Sequence, residues 1–464
     1  MDFEQVLVIL IFTSTTVTYL LFLVLGRKWR KDFEQKGIRY WTAPKEQRIK
    51  ELMNDVWRPK LITVFYGLAY FTNGYMKIAY SMWAPLFLLQ VRGIDVLQVA
   101  LFLGLVYTPW QWKMFLGLAS DGLPLKFRGK TYRRHHWFLL AGLLSVLSSV
   151  GFLFINPHEI PIWTGFFPMV FLIVTAGAIF DMVADAYALD VTPPEFHARV
   201  LGGVNTVGMA LGGATAALLP PVLLQIGGYQ LVFFTSGLTG LFAFLFLFLK
   251  EPPLVYERAL SKQAIAFTFT EKTVLIASLL MLSQSMGTAR LGNPTGGMFT
   301  LIMNEIVGNF TPEQAGTVAL VVLLAGIPSS LIGGWAADRF GHKRVYFITG
   351  VAFAVAGFLW ISLRPGMVMW FIFLAMLTNF LQRLNAGGRM ALMGDSTPLA
   401  LSGTVFQMYM SFSWIGNVPA SIIIGLLLPV NVPLLMGTLA IFTFIPLLLA
   451  RFLTPYEVGK ATSI

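Results

Sequence analysis

No cysteine occurs among the 464 residues, which excludes disulfides, thiolate nucleophiles and cysteine metal sites and leaves redox compartment unmarked. Charge is scarce too: Asp, Glu, Lys and Arg make up 12% of the chain, against 56% hydrophobic residues. A soluble domain carries about 25% charged residues to cover its surface, so an ordinary soluble fold is excluded. Acids are the scarcer sign, 22 against 33 bases, for a net charge of +11. Histidine is rare, and His135 and His136 stand in a basic loop with no further ligand at metal spacing, so no metal is expected. No glycine-rich loop ending in Lys and Ser or Thr is present. ATP-driven transport by this chain alone, and any nucleotide or other cofactor, are therefore not expected. No catalytic constellation is visible, which speaks against an enzyme.

Long apolar runs are abundant. Each is about twenty residues, enough to cross a bilayer as a helix. The fold class is an all-α membrane protein with many spans. The first span, 6–25, is too long for a signal-peptide core and has Asp2 and Glu4 before it, so it reads as a retained helix. Residues 27–60 form a basic linker in which 46–57 are expected to make an amphipathic surface helix. Spans follow at 61–90, 97–118, 137–155, 163–189, 200–225 and 231–249. After a linker at 250–272, six more occupy 273–306, 313–335, 345–363, 367–393, 401–428 and 432–453. The domains expected are thus 1–26, an extra transmembrane helix; 27–60, a linker; 61–249, a six-helix bundle; 250–272, a linker; 273–454, a second six-helix bundle; and 455–464, a tail. Bases crowd into alternate loops, which puts those loops and the C-terminus in the cytoplasm and Met1 outside. Their partners are then anionic lipid headgroups rather than nucleic acid.

The turn between the eighth and ninth core spans carries Gly334, Asp338, Arg339, Gly341, Lys343 and Arg344. This resembles the short charged loop of the major facilitator superfamily of transporters. The resemblance implies two six-helix bundles, a gating role for that loop, and a monomeric carrier. The halves also echo each other. Gly117 and Asp121 match Gly334 and Asp338, and the Asp190 to Pro193 segment matches Asp395 to Pro398. Duplicated halves place a substrate site near the midplane between them. Pro109, Trp110, Lys113, Gly117, Ser120 and Asp121, followed by Arg133 and Arg134, are similar to a pattern of folate–biopterin transporters and, more loosely, of muropeptide permeases and acetyl-CoA transporters. That resemblance adds Lys113, Asp121, Arg133 and Arg134 to the gating group.

Charges inside spans cost roughly 2.5–3.5 kcal/mol each on insertion scales, so each needs a reason. Lys77 shares one helix face with Tyr66, Tyr70, Asn73 and Tyr80, which suits a cavity lining. Asp181 and Asp185 lie one turn apart and repel, so one stays protonated as a proton carrier, unless both pair with Lys113 or a loop base. Arg290 follows Gln284 and precedes a run of helix breakers, suiting a gate or anion site, or else a plain kink. Arg383, one turn after Asn379, suits a carboxylate or phosphate, with Gln407 and Trp414 as further lining. Arg389 reads as an anchor. Fixed cations outnumber deep acids, which points to an anionic or zwitterionic organic solute moved by proton-coupled alternating access. The alternative is a non-transporting membrane assembly factor that uses the first span and its linker to dock a partner.

Overall fold

The computed structural model describes residues 3–36, 58–193, 196–250, 262–288, 291–296, 298–304, 308, 310–398, 401–428 and 430–453. The first helix, α1 (Phe3–Gln35), does not stop at the end of its apolar run. It continues through the bases that were expected to open a linker. Lys, Arg, Glu and Gln are good helix formers, and the pairs Arg30–Glu34 and Asp32–Lys36, each at 2.9 Å, support this last stretch. The surface helix expected at 46–57 falls outside the described residues.

The first half continues with α2 (Pro59–Ile78), which widens into π-helical turns at Ala79–Trp83 and Phe87–Val91. The second core span is broken into α3 (Val96–Val106), a turn at Thr108–Gln111, and α4 (Lys113–Gly122). Pro109 lacks an N–H for the helical ladder, which explains the break. A small hairpin follows, β1 (Leu125–Phe127) and β2 (Lys130–Tyr132), the one departure from the all-helical expectation among the described residues. Arg128 and Gly129, with φ of 49° and 74°, supply the positive dihedrals that a two-residue hairpin turn demands. Next come α5 (His135–Phe154), α6 (Phe167–Val191) and α7 (Asn205–Leu238). The last turns sharply at Gly227 and Gly228, where the fifth span gives way to the sixth.

In the second half, α8 (Lys262–Thr270) occupies part of the expected linker and lies along α1. Then come α9 (Lys272–Met286), α10 (Pro312–Phe340), α11 (His342–Phe358), α12 (Val368–Asp395), α13 (Ser402–Ile415), α14 (Asn417–Leu427) and α15 (Val432–Phe442). Among the described residues, seven helices are long and apolar enough to cross a membrane: His135–Phe154, Ile162–Val191, Ala198–Phe248, Pro312–Phe340, His342–Ser362, Ser402–Leu427 and Val432–Ala450. The 51-residue stretch Ala198–Phe248 holds the two spans that meet at Gly227 and Gly228.

The halves meet along two seams, α7 against α10 and α4 against α13. Glycine sets how closely they approach. A Cβ on Gly117 would collide with the carbonyl of Gly403, and one on Gly202 would lie 2.5 Å from the Cα of Gly387. Over the second seam lies α1. Its Tyr19 hydroxyl donates to the Gln111 carbonyl at 2.9 Å, and Tyr19 packs on Phe115 of the first half and Phe412 of the second. The Trp112 indole N–H donates to Thr15 at 2.9 Å.

Candidate functional site

The face of α2 predicted to line a cavity is buried throughout: Tyr66, Tyr70, Asn73, Lys77 and Tyr80 are all enclosed. Lys77, 6% exposed, holds its ammonium 4.0 Å above the Trp110 ring and 5.5 Å from Trp414. Trp110 belongs to the break in the second span and Trp414 to α13, so rings from both halves flank one cation. Among the described residues Lys77 makes no ion pair. Tyr80 stacks edge-on against Tyr107 behind it.

Asp181 and Asp185 leave α6 on one face, and Lys113 meets them there. Its ammonium pairs with Asp181 and lies 3.8 Å from Asp185. Lys113 thus makes the pairing with the two acids that the sequence left open beside its expected place in the gating group. The break at Trp112 restarts the helix at Lys113 and turns its stem inward, leaving it fully buried. Asn73 donates to Asp181 at 2.9 Å. Asp185 accepts from Tyr66 at 2.8 Å, Tyr70 at 2.5 Å and Gln407 at 3.0 Å. Three donors and a nearby ammonium compensate a buried carboxylate.

Across from this cluster, Arg383 reaches the Asn379 side-chain oxygen at 3.4 Å and the Thr206 carbonyl at 3.2 Å, and its Nη2 is buried without a hydrogen-bond partner. Asn379 is anchored on the Val322 carbonyl at 2.5 Å. Arg389, expected to be an anchor, also borders the cavity, with its Nε buried and unpartnered. The cavity has a volume of about 140 Å³ and brings together Tyr70, Lys77, Lys113, Asp181, Arg383 and Trp414. Asn73, Asn379 and Gln407 stand one layer back and hold the lining in place. Gln284 instead accepts from Tyr346 at 3.3 Å, outside the cavity wall. Arg290 falls outside the described residues; the helix breaks beside it as expected, at Gly287, and nearby Asn293 reaches the cavity. Sequence reasoning missed Arg389 and the lining role of Trp110. Both stand at helical positions whose facing partners come from distant parts of the chain.

At the basic end of the bundles, Asp121 accepts from Arg133 and Arg134, each at 2.8 Å, and from the backbone of Gly403 and Thr404 at 3.3 and 2.7 Å. Arg134 also reaches Asp190 at 2.9 Å, and Asp190 accepts from Ser402 at 2.5 Å. In the other half, Asp338 accepts from the backbone N–H groups of Ala198 and Arg199, both at 3.1 Å. Gly334 packs against the Ala198 carbonyl, and Gly341, with φ of 95°, ends α10. Arg339 and Arg344 are exposed, Arg339 lying over Trp335, while Lys343 donates to the carbonyls of Arg451 and Leu453. Of the charged residues in that loop, Asp338 hydrogen-bonds to the other half.

No cluster of metal-ligating side chains exists among the described residues. A sequence profile described as Major Facilitator Superfamily matches residues 113–303 and 265–463. The fold is similar to that of the proton:xylose symporter XylE bound to 6-bromo-6-deoxy-D-glucose, at 14% identity over 86% of this chain and 97% of that one, with a TM-score of 0.64. It is similar also to a bacterial homologue of the iron transporter ferroportin in an outward-facing state with soaked iron, at 11% identity over 85% and 99% of the two chains, with a TM-score of 0.63. The human organic anion transporter MFSD10 (TETRAN) shares the fold at 13% identity over 85% and 100%, with a TM-score of 0.63. No curated protein matches the chain. A profile that spans most of the sequence, together with this fold, identifies a multi-pass integral membrane transporter and not an enzyme: the chain belongs to the major facilitator superfamily.

Proposed function

We propose that the protein carries a small organic anion or zwitterion across the membrane by alternating access, with a proton as the coupling ion. One observation carries this reading: Lys77 and Arg383, from opposite halves, border one cavity with no carboxylate paired to either among the described residues. Buried charge without a counter-charge is costly, and a bound anion supplies what is missing. Binding from both halves also links occupancy to closure, because the solute bridges the parts that move. Trp110 and Trp414 add flat apolar surface, which suits an organic body beside the anionic group.

Lys113, Asp181 and Asp185 are the proton-coupling group in this reading. A proton arriving on Asp181 releases Lys113 toward Asp185 or toward the solute. Asp121, Asp338 and their partners form the gate at the basic end, which is cytoplasmic by the distribution of bases. The domain limits stay as proposed except that the first helix runs past residue 26 to Gln35, and α8 docks part of the 250–272 linker onto α1.

The test is reconstitution in liposomes with an imposed pH gradient and a panel of organic anions, pterins and amino sugars. Uptake should follow the proton gradient. Lys77→Ala and Arg383→Ala should each weaken solute affinity by about 10- to 100-fold, the value of one charge-assisted hydrogen bond of about 1.5–3 kcal/mol. Uptake indifferent to solute charge, or unchanged when both cations are neutral, would overturn the proposal.

A further inference from the structure

The gate in the second half contains a group that the reading above does not use. His197, 4% exposed, stands just before the fifth span and belongs to the first half. Its Nε2 lies 3.2 Å from the Thr192 carbonyl, and a carbonyl can only accept, so Nε2 carries a hydrogen. That leaves Nδ1 as the lone-pair side in a neutral ring. Nδ1 is buried without a hydrogen-bond partner and faces Asp395 of the second half at 3.5 Å. A lone pair turned toward a carboxylate is repulsive, and adding one proton to Nδ1 converts it into an ion pair across the seam.

Among the described residues, His342, Asp338 and Arg199 are the other charged groups at this site. His342 bridges Asp395 at 2.6 Å through Nδ1 and Asp338 at 3.5 Å through Nε2. Both its nitrogens therefore face carboxylates, which favours the doubly protonated ring. Arg199, largely exposed, lies 3.6 Å from Asp338. Gly394 lies beside the His197 ring, where a Cβ would come within 2.9 Å of Nδ1. Asp395 thus has one oxygen compensated by His342 and the other turned to His197.

We infer that His197 and Asp395 form a proton-binding site that joins the halves, occupied when the basic end is closed and emptied when it opens. The proton comes from water and is held by Nδ1. The closed form has Asp395 beside the ring, where a proton on Nδ1 completes an ion pair, and in the open form the two separate. Acid therefore favours closure of this end. This site is distinct from the cavity and does not depend on which solute is carried.

The absence of native cysteine permits a direct test. Spin labels at Lys130→Cys and Arg451→Cys, exposed positions at the basic ends of the two halves, report their separation in lipid nanodiscs. From about pH 5 to about pH 8.5 the ratio of open to closed forms should rise by about tenfold, the value of one charge-assisted hydrogen bond of about 1.5 kcal/mol gained across the seam. His197→Gln should flatten that response, and Asp395→Asn should flatten it independently. Should His197→Gln fail to fold, His197→Asn and Asp395→Asn carry the same measurement. A pH-invariant separation in the parent protein, or an undiminished response in the folded variants, would overturn the inference. Loss of transport with the pH response intact would instead count against the solute-binding reading.

Discussion

The two charged clusters at the basic end, which we propose as gates, are built on one plan and finished differently. In each, an Asp at the end of a span accepts two backbone N–H groups from the start of a helix in the opposite half: Asp121 from Gly403 and Thr404, and Asp338 from Ala198 and Arg199. Helix N-termini present free N–H groups and a positive field end, so a carboxylate fits there whatever the neighbouring side chains are. The difference lies in the counter-charges. Asp121 is compensated by Arg133 and Arg134, 6% and 0% exposed, with Asp190 completing the network. Asp338 has His342 and a mostly exposed Arg199, with Asp395 in the place of Asp190. A guanidinium is charged at every physiological pH and an imidazole is not. The backbone contact is the same in both clusters, and the side-chain part differs: in our proposal the buried guanidinium pair is a fixed lock and the imidazole cluster an adjustable one.

The largest effect is expected from Arg134→Gln. It leaves Asp121 and Asp190 buried with only Arg133 and neutral donors. Removing one partner from a buried ionic network costs about 3–5 kcal/mol, so the basic end should open in most molecules and thermal stability should fall. The separation of labels at Lys130→Cys and Arg451→Cys reads the first effect and a melting curve the second. A closed, fully stable variant would mean that the first gate does not hold the halves together.

Much of this plan was legible in the sequence because it is written in local terms. Apolar runs mark spans, since a bilayer core admits little else. Asp121 and Asp338 stood out because each ends an apolar run and precedes bases. What stayed hidden depends on partners far along the chain. The sequence offered Asp181, 68 residues later, as a partner for Lys113 but could not choose it, because a lysine near a span end is ordinarily free to reach the interface. His197 lies in a polar connection where a histidine draws no notice until Asp395 is brought to it. Arg389 looked like an anchor because its depth was judged by distance from the span end, whereas α12 runs on to Asp395 and carries it inside the protein. The extension of α1 was missed for a simpler reason. An apolar run records where lipid ends, and the helix has no need to stop there.

A smaller effect separates the locks further. Asp338→Asn removes the charge that receives the two N–H groups while preserving size and one acceptor oxygen. Hydrogen bonds to charged groups contribute about 1.5–3 kcal/mol, and the amide retains part of that. The ratio of open to closed forms should rise by less than for Arg134→Gln. The variant should also lessen the preference of His342 for its charged form by removing one of its two carboxylates. Equal effects from the two substitutions would show that the gates are equivalent after all, and that the difference in burial between their cations has no energetic consequence.

The smallest effect belongs to Arg199→Gln. Its guanidinium is 3.6 Å from Asp338 and more than half exposed, so water screens the pair, and exposed pairs contribute about 0.2–1 kcal/mol. The backbone N–H of the same residue still donates to Asp338 after the substitution. The label separation should therefore change little, and the remaining change should vanish at high salt, whereas the effect of Arg134→Gln should persist there. Salt sorts the two cations by burial alone, without reference to which gate they occupy. If both effects faded together, the buried network around Asp121 would be open to solvent, and the distinction between a fixed and an adjustable lock would have no basis in the dielectric that surrounds them.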